Sequence, residues 1–139
     1  MGNRAVISVG TSPGSTGIYL HWNGGPESVL AFLHAARALK VRAPEGDSSY
    51  AMARLTQIIG NFFGGTLSLG IGKVSELDTN NGDNGHYIIG GDFEIIARKH
   101  TKDTTAKVGD LSVADRAKYE GVLTDAIKKN EVVFAGGGG

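Results

Sequence analysis

Pairs of glycines at Gly24-Gly25, Gly64-Gly65 and Gly90-Gly91 cut the chain into short blocks, because glycine takes backbone angles that other residues resist and marks where periodic segments stop. Glycine supplies 22 of the 139 residues, roughly twice the usual share of about 7%. The blocks between the pairs are periodic. Residues 4–9 and 17–22 are rich in β-branched and aromatic types and read as two strands of a hairpin, joined by the turn formers Thr11-Ser12-Pro13-Gly14. Pro26 then stands at a first helical position with Glu27 in the first turn, and Val29, Phe32, Leu33, Ala36 and Leu39 repeat at helical spacing to about Lys40. Asp47 or Ser48 can cap a second helix, whose stripe Ala51, Leu55, Ile58, Ile59 and Phe62 ends at Gly64.

Residues 66–74 alternate, with Leu67, Leu69 and Ile71 on one face, and Gly70 and Gly72 on the same strand predict a bulge or a close approach by another backbone or a ligand. A run of turn formers over 75–85 leads into two further strands, 86–89 and 92–100. After a polar gap, Ser112 can cap a third helix carrying Tyr119, Val122, Leu123, Ala126 and Ile127 to about Lys129, and Val132-Val133-Phe134 reads as a last short strand. The order ββααβββ lacks the strand–helix alternation of a parallel sheet. It predicts an α+β fold: an antiparallel sheet, two helices packed on one face, and a C-terminal helical extension. Residues 1–100 would form the core, 101–135 the extension and 136–139 a glycine tail.

The chain is long enough for one sizeable core and too short for two. Fourteen basic residues balance fourteen acidic ones, with no block of like charge, which argues against binding a nucleic-acid polymer or an anionic membrane. No cysteine is present, so disulfides, thiolate metal sites and cysteine nucleophiles are excluded. No stretch approaches 18 apolar residues and none resembles a secretory leader. The expected location is the cytoplasm.

Motifs with chemical content fail on spacing. Lys73 follows Gly70 and Gly72, but a phosphate loop needs glycine where Leu67 stands and a hydroxyl where Val74 stands. The dinucleotide pattern meets Ser75 at its third glycine and opens no helix. Asp78, Asn80 and Asp83 crowd one loop, yet the calcium register places Ile89 where a bidentate glutamate belongs, so the loop reads first as a set of Asx turns and second as a polar recognition loop. His21, His34, His86 and His100 have no metal spacing; His34 reads as a surface residue, while His86 and His100 stand at strand ends that can line a pocket. No nucleophile signature appears, and nothing calls for a cofactor or a metal.

Aromatic and amide residues beside glycine turns remain: Tyr19, His21, Trp22 and Asn23, then residues 81–87. Such groups suit a flat polar ligand. An aromatic face stacks a base, an amide reads its edge, Arg54 or Arg98 pairs with phosphate, and Asp83 or Glu27 accepts ribose hydroxyls. The same residues also fit duller roles, with Tyr19 and Trp22 in a hairpin core and Arg54 in solvent.

Several stretches together carry a family resemblance: Asn3-Arg4-Ala5-Val6-Ile7, then Gly17-Ile18-Tyr19-Leu20-His21-Trp22-Asn23-Gly24-Gly25, then the run 53–65, then Asp83-Asn84-Gly85 with Tyr87-Ile88-Ile89. Over residues 3–100 the chain resembles the phage-encoded anti-Thoeris sponge family. The resemblance implies a non-enzymatic homo-oligomer that sequesters cyclic ADP-ribose isomers made by TIR-domain immune enzymes, and in some members cyclic oligonucleotides, in pockets shared between subunits. It implies Arg54 and Arg98 as phosphate forks and stacking partners, and Asn81, Asp83 and Asn84 as readers of base or ribose edges. Pro26 stands where the family is expected to offer a basic residue. The expectation is thus a phage counter-defence protein that holds a nucleotide-like signal without cleaving it. The rivals are an enzyme using His21, His86 or His100 as acid or base, and a protein-binding inhibitor or structural phage component.

Overall fold

The computed structural model describes residues 2–63, 68–99 and 106–134. Strands β1 (Ala5–Val9) and β2 (Thr16–Leu20) form the first hairpin, and helices α1 (Pro26–Ala38) and α2 (Ser48–Phe63) follow it. Next come β3 (Leu69–Lys73), a 3-10 turn at Val74–Glu76, β4 (His86–Gly90), β5 (Glu94–Lys99), a second 3-10 turn at Val108–Asp110, and α3 (Val113–Phe134). The fold is α+β. Gly64, residues 66–67 of the expected third strand, and His100 lie outside the described residues.

The sheet has five strands in the order β3-β2-β1-β4-β5 and is mixed, where an antiparallel sheet was expected. β1 and β4 run parallel, with Val6 opposite His86 and Val9 opposite Ile89. The cause is one long crossover: β2 occupies one edge of β1 and β3 occupies the outer edge of β2. The returning chain takes the free edge of β1 and enters it from the same end, as a long connection allows and a tight turn cannot. The register of β3 on β2 is continuous from Leu69 to Lys73, so the glycines there mark no bulge; Gly70 lies over Tyr19, and Gly72 lies over Leu77. The irregularity falls instead between Ile88 and Ile89 on β4.

Alternation along the strands decides what faces the helices. Ala5 and Ile7 of β1, Ile18 and Leu20 of β2, and Tyr87 and Ile89 of β4 are buried in one cluster with Phe32 and Leu33 of α1 and Leu55 and Ile59 of α2. Asp47 caps α2 by accepting from Tyr50 N at 3.1 Å, and Ser112 caps α3 by accepting from Asp115 N at 3.1 Å. α3 packs along both earlier helices and adds Tyr119 and Ala126 to the same cluster. His34, expected at the surface, is half-buried and hydrogen-bonded through Nδ1 to the Tyr119 hydroxyl. Asn130 is fully buried and donates to Ile58 O and Ala126 O, while Asn61 donates to its carbonyl oxygen at 2.8 Å. α3 continues through Phe134, so residues 132–134 are helical rather than a strand. No proline or glycine after Gly121 interrupts the hydrogen-bond ladder of that helix.

Candidate functional site

The polar groups gather where β2 gives way to α1. After Leu20 the chain turns through residues 21–25 and is strapped to the N-terminal segment: Asn3 N donates to His21 O at 2.7 Å, and Gly24 N donates to Asn3 O at 2.8 Å. A Cβ on Gly24 would lie 2.5 Å from Asn3 O and 2.7 Å from Ala5 Cβ, so only glycine permits this approach. Beneath the turn, the Tyr87 hydroxyl donates to Gly24 O at 2.9 Å, and burial pushes that phenol well above its ordinary pKa. Asn23 takes a left-handed conformation (φ 57°), which asparagine tolerates. Its amide donates to Ser28 Oγ at 3.2 Å.

The turn forms one wall of a cleft of about 470 Å³ lined by Asn3, Trp22, Asn23, Glu27 and Ser28, with Lys118 of α3 among the residues opposite. Trp22 is 44% exposed and meets the His21 ring edge-on at 5.1 Å. Its indole is held by a neighbour yet open to a ligand. Glu27 folds its carboxylate back over Gly25, reaching 2.8 Å from where a Cβ would stand, and so offers negative charge to the first turn of α1.

A polar relay runs behind this wall. Arg98 Nε donates to Asn84 O at 3.1 Å and its terminal nitrogen to Asn84 Oδ1 at 3.2 Å, while Asn84 Nδ2 donates to Asn3 Oδ1 at 2.5 Å. The Arg98 guanidinium also stacks on the Tyr87 ring at 4.9 Å. Trp22, Asn23 and Glu27 therefore share the cleft, and Asn84 and Arg98 reach it through Asn3.

Asn81 and Asp83 shape the loop behind that relay. The buried Asn81 amide accepts from the backbone N–H groups of Asp83, Asn84 and Gly85 and donates to Asp78 O and Gly85 O. Its hydrogen-bonding capacity is spent on its own loop. Asp83 accepts from both Arg4 N and Arg4 Nε, and the guanidinium holds its carboxyl below the usual carboxylate range. Arg54 stands apart on α2, where its guanidinium donates to the Tyr50 hydroxyl and to Gln57 Oε1. The structure does not bring it to the cleft.

Of the histidines, His21 Nδ1 lies 2.8 Å from the Tyr19 hydroxyl. His86 lies on the sheet face away from the helices, with Nε2 2.6 Å from Ser8 Oγ. No group of three or more metal-binding side chains occurs among the described residues, and no helix among them is long and apolar enough to cross a membrane.

Sequence reasoning missed Asn3, Ser28 and Lys118. Asn3 sits beside the first strand with no motif to flag it, and Lys118 reaches the cleft only through the packing of α3 on α1. As a set, the cleft offers an aromatic face for stacking, amides for reading a heterocycle edge, a carboxylate for hydroxyl groups and an ammonium for phosphate. Comparison with protein-family models, with curated proteins and with solved structures finds no match.

Proposed function

We propose that the chain sequesters a cyclic nucleotide-like signal of the cyclic ADP-ribose type in the cleft at the start of α1, as a phage counter-defence protein, and holds the ligand without cleaving it. The observation that carries this reading is the convergence of Trp22, Asn23, Asn3, Glu27 and Lys118 on one cleft. Its volume falls within the roughly 300–1,000 Å³ of small-molecule sites. A ligand with a base, a ribose and phosphates needs stacking, edge recognition, hydroxyl acceptors and a cation together, and these residues supply each one. The resemblance over residues 3–100 supports the choice of signal. In this reading the protein works as a homo-oligomer, with a second copy closing the open side of the cleft.

Sequestration is a mass-action mechanism: it requires protein at or above the ligand concentration and a low Kd, and no acid, base or nucleophile. The test is the thermal midpoint of the protein with a panel of cyclic ADP-ribose isomers and cyclic oligonucleotides, followed by heat release and analysis of the ligand. A ligand at a hundred times its Kd adds about 2.7 kcal/mol, so a shift of several degrees with one member, and its recovery intact, is the expected result. Recovery of an altered ligand would establish an enzyme instead. No shift with any member would favour a protein partner.

A further inference from the structure

A second cleft, of about 300 Å³, opens between the start of β2 and the first two turns of α2. Its lining differs in kind from that of the first. Hydroxyls come from Ser15 and Thr16 where β2 begins, from Ser48 and Ser49 where α2 begins, and from Thr56 further along α2, which donates to Met52 O at 2.7 Å. The apolar lining comes from Val9, Ile18, Met52 and Ala53, with Ile71 of β3 at the sheet edge. Ile18 is fully buried and Met52 is 5% exposed, so both belong to the fixed core, whereas Ile71 is 59% exposed and presents apolar surface to whatever enters. No ionisable side chain lines the cleft among the described residues.

Charge and shape together select the ligand. The positive end of α2 is already answered by Asp47, whose carboxylate accepts from Tyr50 N and pairs with Arg42 at 3.4 Å. An incoming phosphate would leave bulk water for a lining that holds no cation to pair with it. An uncharged ring faces no such opposition: its apolar side covers Met52 and Ile71, and its hydroxyls exchange hydrogen bonds with the serine and threonine hydroxyls, which can both donate and accept. The volume sits at the small end of ligand sites, suited to a single ring or a nucleoside rather than a peptide.

We propose that this second cleft binds an uncharged, hydroxylated ring compound, a sugar or a nucleoside. The site is separate from the α1 cleft and does not depend on the ligand held there.

The test is an NMR titration of the isotope-labelled full chain with two uncharged probes, adenosine and methyl glucoside, and with their charged counterparts AMP and glucose 6-phosphate. The Met52 methyl and the Ser49 and Ala53 amides report the second cleft, and the Trp22 indole reports the first. At least one uncharged probe should move the Met52, Ser49 and Ala53 signals saturably, along a binding curve distinct from any movement of the Trp22 signal, and the probe that does so tells a nucleoside site from a sugar site. Its phosphorylated counterpart should bind about tenfold more weakly or worse. Ala53→Trp, a filling change at an exposed helix position, should abolish the response, and Ser49→Ala should weaken it severalfold with the fold intact. The proposal is overturned if neither uncharged probe saturates by about 10 mM, if the phosphorylated probe binds equally well, or if the response survives in Ala53→Trp.

Discussion

Lys40 ends α1 in a left-handed conformation (φ 59°), donating its N–H to Arg37 O while Val41 N donates to Ala36 O. This pattern of closing bonds usually carries glycine at the left-handed position. A side chain at that backbone angle carries a steric cost and Lys40 is exposed, so Lys40→Gly is expected to raise stability by about 0.5–1 kcal/mol. The urea midpoint should rise with an unchanged slope; a fall would contradict the assignment. His86 gives the pH dependence at this scale. Burial, and Lys99 opposite it on β5, hold its pKa below the ordinary value. The unfolded chain therefore takes up the proton first as pH falls, so the stability present above about pH 6.5 is lost on acidification. A urea midpoint that drops between about pH 7.5 and 5, and drops less in His86→Asn, is expected; equal drops would rule out His86 as the cause. Residue identity alone went part of the way to the site. Trp22, Asn23 and Glu27 lie within one turn and the start of its helix, so adjacency in sequence became adjacency in space. Asn81 shows the opposite: an amide that can read a ligand edge can equally bind its own backbone, and here three N–H groups converge on it.

Elements were more legible than their pairing. Each helix announced itself by an apolar stripe and a start signal, Pro26 for α1 and the caps Asp47 and Ser112 for α2 and α3, because both kinds of signal are local. The parallel alignment of β1 with β4 depends on which strand edge is free after β2 and β3 have docked, and no local pattern records that. Nor does the sequence of α3 say which helices it meets, since most of its surface is polar and its buried anchors are few. One of those anchors is Asn130. Asn130→Ala would leave Ile58 O and the Asn61 amide without their partner across the α2–α3 contact, with an expected cost of about 1–3 kcal/mol. A melting temperature unchanged from the parent would mean that α3 contributes little to the cooperative unit. The loss should also loosen the α3 wall that carries Lys118 into the cleft.

For the whole molecule, the sheet and the α1–α3 contact act as a frame that brings a turn, a helix start and a distant helix to one cleft. The frame explains why half of the cleft could be read from sequence and half could not: the turn side is contiguous, and the Lys118 side exists only after α3 has packed. The proposed function asks this frame to hold a ligand tightly and leave it unchanged. Calorimetric titration with the cyclic ADP-ribose isomer that stabilises the protein, in the parent and in Trp22→Ala, tests that most directly. Because Trp22 is 44% exposed and lies outside the core cluster, its removal should leave the melting temperature nearly in place. Loss of a base-stacking face costs about 1–3 kcal/mol, so the Kd should rise about fivefold to a hundredfold, with the ligand recovered intact from both proteins. An unchanged Kd in Trp22→Ala, or a chemically altered ligand from the parent, would contradict the account.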